Sequence, residues 1–137
     1  MNTACTHIID DDEAIRDALE WLFKTRGVAC RSWASAEAFL ADWRGDWRGC
    51  IVLDIRMQGM SGLECFDTLL ARGCQLPVIF ITGHGDVPMA VAALKKGAVD
   101  FIEKPFNDAE LLRIVNQCLA NEKESRARRR QDAEVSR

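Results

Sequence analysis

Five short apolar runs, at residues 7–9, 28–33, 50–53, 78–81 and 99–102, are each followed by a segment whose apolar positions recur at helical spacing. The runs are mostly β-branched or aromatic and unbroken, as strands covered on both faces must be. Strands separated by helices cannot pair as tight hairpins. They pair in parallel, with each helix crossing over a face of the sheet. At 137 residues the chain has room for one such domain and a tail.

The intervening segments carry their own start and stop signals. Residues 14–25 place Ile15, Ala18, Leu19 and Leu22 at i, i+3, i+4 and i+7, and Gly27 ends the pattern. Ser35 caps a helix over 36–43 with Glu37 in its first turn, and Ser61 precedes one over 62–72 that stops at Gly73. Asp86 opens 87–96, stopped by Gly97, and a last helix runs from 108 to about 121 after Asn107. The expected fold is therefore α/β, a doubly wound five-stranded parallel sheet with five helices. Its usual strand order is 2-1-3-4-5, which opens a crevice between strands 1 and 3 at their carboxyl ends.

Composition narrows the function classes. Hydrophobic residues at 48%, charged residues at 28%, and only 3 Pro and 9 Gly exclude a disordered or fibrous chain. No stretch reaches the 18 or so apolar residues of a membrane span, and Asp10, Asp11 and Asp12 arrive before a signal segment can form, so a cytoplasmic protein with no membrane partner is expected. The six cysteines form no CxxC and lie in or beside apolar runs, as small core residues do. A net charge of -3 gives no overall basic surface for nucleic acid. Residues 1–121 read as the domain. Residues 122–137 carry Lys123, Arg126, Arg128, Arg129, Arg130 and Arg137 against Glu122, Glu124, Asp132 and Glu134, and read as a charged helical extension or linker. A tandem tetrapeptide, Asp42-Trp43-Arg44-Gly45 and Asp46-Trp47-Arg48-Gly49, is too short for a repeat architecture and fits a loop between helix 2 and strand 3.

The main functional signal is what gathers at one end of the sheet. Strand 1 runs into Asp10 and Asp11, strand 3 into Asp54, strand 4 into Thr82 and strand 5 into Lys104. Two carboxylates about 4 Å apart repel by about 4 kcal/mol at an effective dielectric of about 20, so a cation belongs among them. Hard oxygen ligands without His or Cys favour Mg²⁺ over zinc. Asp54 could then act as a carboxylate nucleophile toward a phosphoryl donor, with Mg²⁺ and Lys104 neutralising the phosphoryl oxygens and Thr82 hydrogen-bonding the product.

With these residues the sequence resembles the response-regulator receiver family over residues 6 to 120: the pair Asp10-Asp11, Asp54, Thr82, Phe101 and Lys104-Pro105 occur in family order and spacing. The resemblance implies a flavodoxin-like (CheY-like) fold. It implies that Asp54 is the phosphoacceptor for a sensor histidine kinase, and that Asp11, Asp54 and the Arg56 carbonyl hold Mg²⁺, with Asp10 acting through water. It further implies a cis Lys104-Pro105 bond, a Thr82–Phe101 switch, and homodimerisation on phosphorylation through helix 4 and strand 5, where Val87, Val91 and Lys95 share a face. ITGHGDVPMAV and GAVDFIEKPF look like the FixJ-like subgroup of transcription regulators, whose DNA-binding effector domain is not expected within these 137 residues. The usual Pro after D-x-x-M is Gln58 here, which makes the loop after Asp54 less rigid.

Two other readings use the same residues. A stand-alone receiver would act as a phosphorelay adaptor or phosphate sink. A small Mg²⁺-dependent phosphatase of the haloacid-dehalogenase type would also use an Asp nucleophile, but requires D-x-D, whereas Asp54 is followed by Ile55 and Arg56. A domain that catalyses only its own phosphorylation and dephosphorylation fits better than an enzyme. Pro88 stands where the third glycine of GxGxxG belongs, and no GK[ST] or G-x-S-x-G occurs.

Overall fold

The computed structural model describes residues 3–135. Strands β1 (Cys5–Ile9), β2 (Cys30–Trp33), β3 (Gly49–Asp54), β4 (Val78–Thr82) and β5 (Asp100–Glu103) form one parallel sheet in the order β2-β1-β3-β4-β5. Between and after them run α1 (Glu13–Thr25), α2 (Ala36–Asp42), α3 (Gly62–Ala71), α4 (Val87–Lys95) and α5 (Asp108–Val135). The expected fold class and strand order are therefore the observed ones.

Alternation along the strands sorts the core into two layers. Ile9, Ile51, Leu53 and Phe80 face a layer with Phe39, Phe66, Leu69 and Ala90 from α2, α3 and α4. Ile8, Val52, Ile79 and Ile81 face the other layer, with Leu19, Phe23, Leu111 and Val115 from α1 and α5. All six residues of β3, at the centre of the sheet, are buried. Each fully buried Ile, Leu or Phe contributes about 1.5–3 kcal/mol, so these two layers fix the strand ends on which the site is built. Cys50, Cys65 and Cys118 belong to the core, while Cys5, Cys30 and Cys74 are half-buried. Burial pushes the thiols of Cys50 and Cys65 up to about 12.

The helix starts follow the capping signals in all but one case. Asp12 caps α1 by accepting from the Ala14 N–H at 2.9 Å, and Ser35 caps α2 by accepting from Ala38 at 3.0 Å. Ser61 and Glu64 form a reciprocal capping box at α3, and the Asn107 side chain accepts from the Glu110 N–H at the head of α5. The exception is α4. A 3-10 turn, His84–Asp86, precedes it, and the Asp86 side chain makes no cap bond because Arg56 engages it.

The last helix takes in the expected helical extension. It runs as one 28-residue element instead of stopping near residue 121. Glu122 is buried and Arg126 half-buried, so the expected boundary at 121/122 falls inside a continuous, partly docked helix. Arg137 and the side chain of Glu134 lie outside what is described.

Candidate functional site

Every strand of the sheet has its carboxyl end on the same side, because the pairing is parallel throughout. Asp54 is the last residue of β3 and only 4% exposed, and Asp10, just past β1, is 1% exposed. Asp11 follows in the open. One carboxylate oxygen from each of Asp10, Asp11 and Asp54 lies within 4.8 Å of the other two. Asp12 has no part in this group, since it caps α1.

Lys104, the residue after β5, reaches across two strands. Its Nζ lies 3.3 Å from Asp10 Oδ2 and 3.3 Å from Asp54 Oδ1. The Lys104-Pro105 bond is cis, as the resemblance implied. Burial works against the Lys104 charge, but the Asp10 and Asp54 carboxylates more than offset it and raise its pKa. Asp54 is pushed up to about 6, first by burial and then by the Asp10 charge beside it, with Lys104 pulling the other way. One ammonium thus pairs with two of the three clustered carboxylates.

The surrounding contacts hold this arrangement. Asp10 Oδ1 accepts from the Asp12 N–H at 2.9 Å, and the Asp10 carbonyl accepts from Arg16 at 2.7 Å. Asp11 Oδ2 accepts from the Gln58 N–H at 3.0 Å. Thr82, at the end of β4, is fully buried, and its hydroxyl donates to the Gly83 carbonyl at 3.0 Å. Phe101 is half-buried against the layer that contains α4. On α4 itself Val87 is half-buried, while Val91 and Lys95 are exposed.

The segment after Asp54 carries contacts that sequence reasoning did not find. Arg56 Nε donates to both Asp86 oxygens, at 2.7 and 2.8 Å, and Glu37 accepts from the Met60 N–H at 3.1 Å. The loop that lost the stiffness of proline is tied at Arg56, Gln58 and Met60 instead. Gly62 is fixed here too, because a Cβ on it would stand 2.1 Å from the Asp54 carbonyl oxygen. The signal for Gln58 was visible as the missing proline, since a residue other than proline restores an N–H. Glu37 and Asp86 gave no signal beyond their ordinary places in a first helical turn.

The donor set fits a hard divalent cation. All three carboxylates offer oxygen, and among the described residues the buried Asp10 Oδ2, with the Lys104 ammonium 3.3 Å away, makes no hydrogen bond. With such a cation held there, the pocket would neutralise an anionic group brought to Asp54 and present its carboxylate oxygen to that group.

Comparison with known proteins agrees with this geometry. Residues 6–116 match the response regulator receiver domain family. The C4-dicarboxylate transport transcriptional regulatory protein DctR of Rhodobacter capsulatus is 52% identical over 116 residues, which are 83% of this chain and 59% of that protein. The transcriptional regulatory protein FixJ of Azorhizobium caulinodans is 50% identical over 118 residues, 86% of this chain and 56% of that protein. Among solved structures, the response regulator StyR superposes with a TM-score of 0.90 at 38% identity, covering 98% of this chain and 68% of StyR. This chain spans less than two thirds of the length of the curated relatives named. By sequence and by fold, the chain belongs to the response regulator receiver domain family of two-component systems, related to the transcription regulators DctR and FixJ.

Proposed function

We propose that Asp54 accepts a phosphoryl group from a sensor histidine kinase, and that the modification alters the α4–β5 surface to control a DNA-binding effector. The observation that carries this reading is the buried Asp54 carboxylate at the end of the central strand, with Lys104 Nζ at 3.3 Å and Asp10 and Asp11 beside it. An Asp54 oxygen attacks phosphorus, the bond from phosphorus to the donor imidazole nitrogen breaks, and an acyl phosphate results. Asp11, Asp54 and the Arg56 main-chain carbonyl would hold Mg²⁺ directly, and Asp10 through water. When bound, the ion supplies positive charge to the phosphoryl oxygens. Lys104 supplies a second positive charge to those oxygens, and Thr82 donates its hydroxyl to one of them once it leaves Gly83.

The acyl phosphate carries about 1.5 to 2 negative charges where the carboxylate carried at most one, and its oxygens draw the Thr82 hydroxyl inward. Phe101 then turns into the space vacated, and the face carrying Val87, Val91 and Lys95 becomes a homodimer interface. The domain catalyses only its own phosphorylation and dephosphorylation, in the cytoplasm, where its kinase presents the phosphodonor. DNA binding belongs to an effector domain like those of longer transcription regulators.

Incubation with acetyl phosphate and Mg²⁺ tests the assignment. Mass spectrometry is expected to place one phosphoryl group on Asp54, with labelling abolished in Asp54→Asn and Asp11→Asn and reduced in Asp10→Asn. Label on another residue, or undiminished in Asp54→Asn, would overturn it.

A further inference from the structure

The three carboxylates of the site are not held equally. Asp10 is buried, bonded to the Asp12 N–H and paired with Lys104, and Asp54 is buried at a strand end and paired with Lys104. Asp11 is exposed, and among the described residues its side chain accepts one hydrogen bond, from the main-chain N–H of Gln58, 47 residues away, at 3.0 Å. Proline, the usual residue at that place in the sequences this chain resembles, has no N–H to give.

Resting on the Mg²⁺ reading above, we infer that the Gln58 main-chain N–H is a positioning group that fixes the Asp11 carboxylate for the cation. One Asp11 oxygen takes the N–H, and the other would be left for the cation. An exposed aspartate without such a partner is spread over several rotamers, and that freedom is lost each time it ligates. A bond from a neutral N–H to a carboxylate is among the stronger hydrogen bonds, so it removes much of this disorder beforehand. The donor is itself fixed, because Arg56 is tied to Asp86 and the Met60 N–H to Glu37 on either side of it. Gln58 thus acts through Asp11 and through its backbone only.

The test separates backbone from side chain. Calorimetric titration with Mg²⁺ is expected to give Gln58→Pro an affinity about threefold to tenfold below wild type, a modest instance of the loss seen when a ligand's outer partner is removed. Gln58→Ala, the conservative variant that keeps the N–H, is expected to recover the wild-type affinity. A second readout needs neither metal nor a folded proline variant. In metal-free ¹⁵N spectra the Gln58 amide proton of the wild type is expected downfield, and in Asp11→Ala it moves upfield. An unshifted amide in Asp11→Ala, a Gln58→Pro protein that binds Mg²⁺ as tightly as wild type, or a Gln58→Ala protein as weak as Gln58→Pro each overturns the inference. If the wild type itself binds no Mg²⁺, the site assignment falls and the inference with it; if only the variants fail to differ, the inference alone falls.

Discussion

Asp54 and His7 both depart from their ordinary titration, in opposite directions, and between about pH 4 and 6 their effects on the pH dependence of stability oppose each other. Burial lowers His7 from 6.5 to about 4; it is 2% exposed, with Nε2 against the Arg48 carbonyl and its ring stacked on Trp47 at 5.1 Å. A depressed histidine contributes stability that is present above 6.5 and lost as the pH falls toward 4. Asp54 is raised from 3.8 to about 6, so its contribution is present below 3.8 and lost as the pH rises through 6. Between about pH 4 and 6 the two slopes oppose each other. In chelator, the Asp54→Asn protein is expected to be more stable than wild type at pH 8 by about 1–3 kcal/mol, since one pKa unit is worth about 1.4 kcal/mol. Its stability should also fall more steeply on acidification from pH 6.5 to 4, measured by urea unfolding. Parallel pH profiles for the two proteins would refute the account. At this scale the sequence displayed the reactive residues well, because each stands at the end of an apolar run. It did not display Gly62's contact with the Asp54 carbonyl, because a close approach between backbones leaves no mark on residue type.

Elements were legible where periodicity and capping agreed, and less so where a side chain had a distant competitor. Asp86 occupies a cap position, but a guanidinium 30 residues earlier takes both its oxygens, so α4 begins through a 3-10 turn. Local patterns cannot register a partner of that kind. The pair joins the loop after Asp54 to the head of α4. Asp86 is nearly buried and Arg56 is 74% exposed, so solvent screens only one side of the interaction. Arg56→Ala is therefore expected to cost about 1–2 kcal/mol, above the usual surface pair and below a fully buried one. A double-mutant cycle with Asp86→Ala checks this: the double variant should regain part of the loss, because no stranded carboxylate remains. Strict additivity would mean that the pair carries no coupling.

At the scale of the molecule, the alternation of strand and helix was sufficient to give the doubly wound sheet and its strand order, because a parallel sheet of this length has few other ways to cover both faces. The docking of α5 beyond residue 121 was not legible. Residues 122–132 are rich in charge and poor in apolar side chains, which gives no amphipathic stripe, yet Glu122 is buried and Arg126 half-buried. The α4 face offers the molecular prediction. Beryllofluoride, a phosphoryl mimic, is expected to shift the wild type from monomer to dimer in sedimentation, and neither Val91→Asp nor Thr82→Ala should respond. A monomer that persists on activation, or a dimer indifferent to both substitutions, rules out signalling by this face.

The unbroken α5 has a mechanical consequence. Among the described residues its last buried side chain is that of Glu122, and from there the helix continues to Val135 without interruption. A continuous helix is stiff over such a length, so the seat at Glu122 acts as a fulcrum and the following turns as a lever arm about 20 Å long. A tilt of about 10° at the fulcrum carries the far end about 3 Å, the scale on which a hydrogen bond or an ion pair is made or broken.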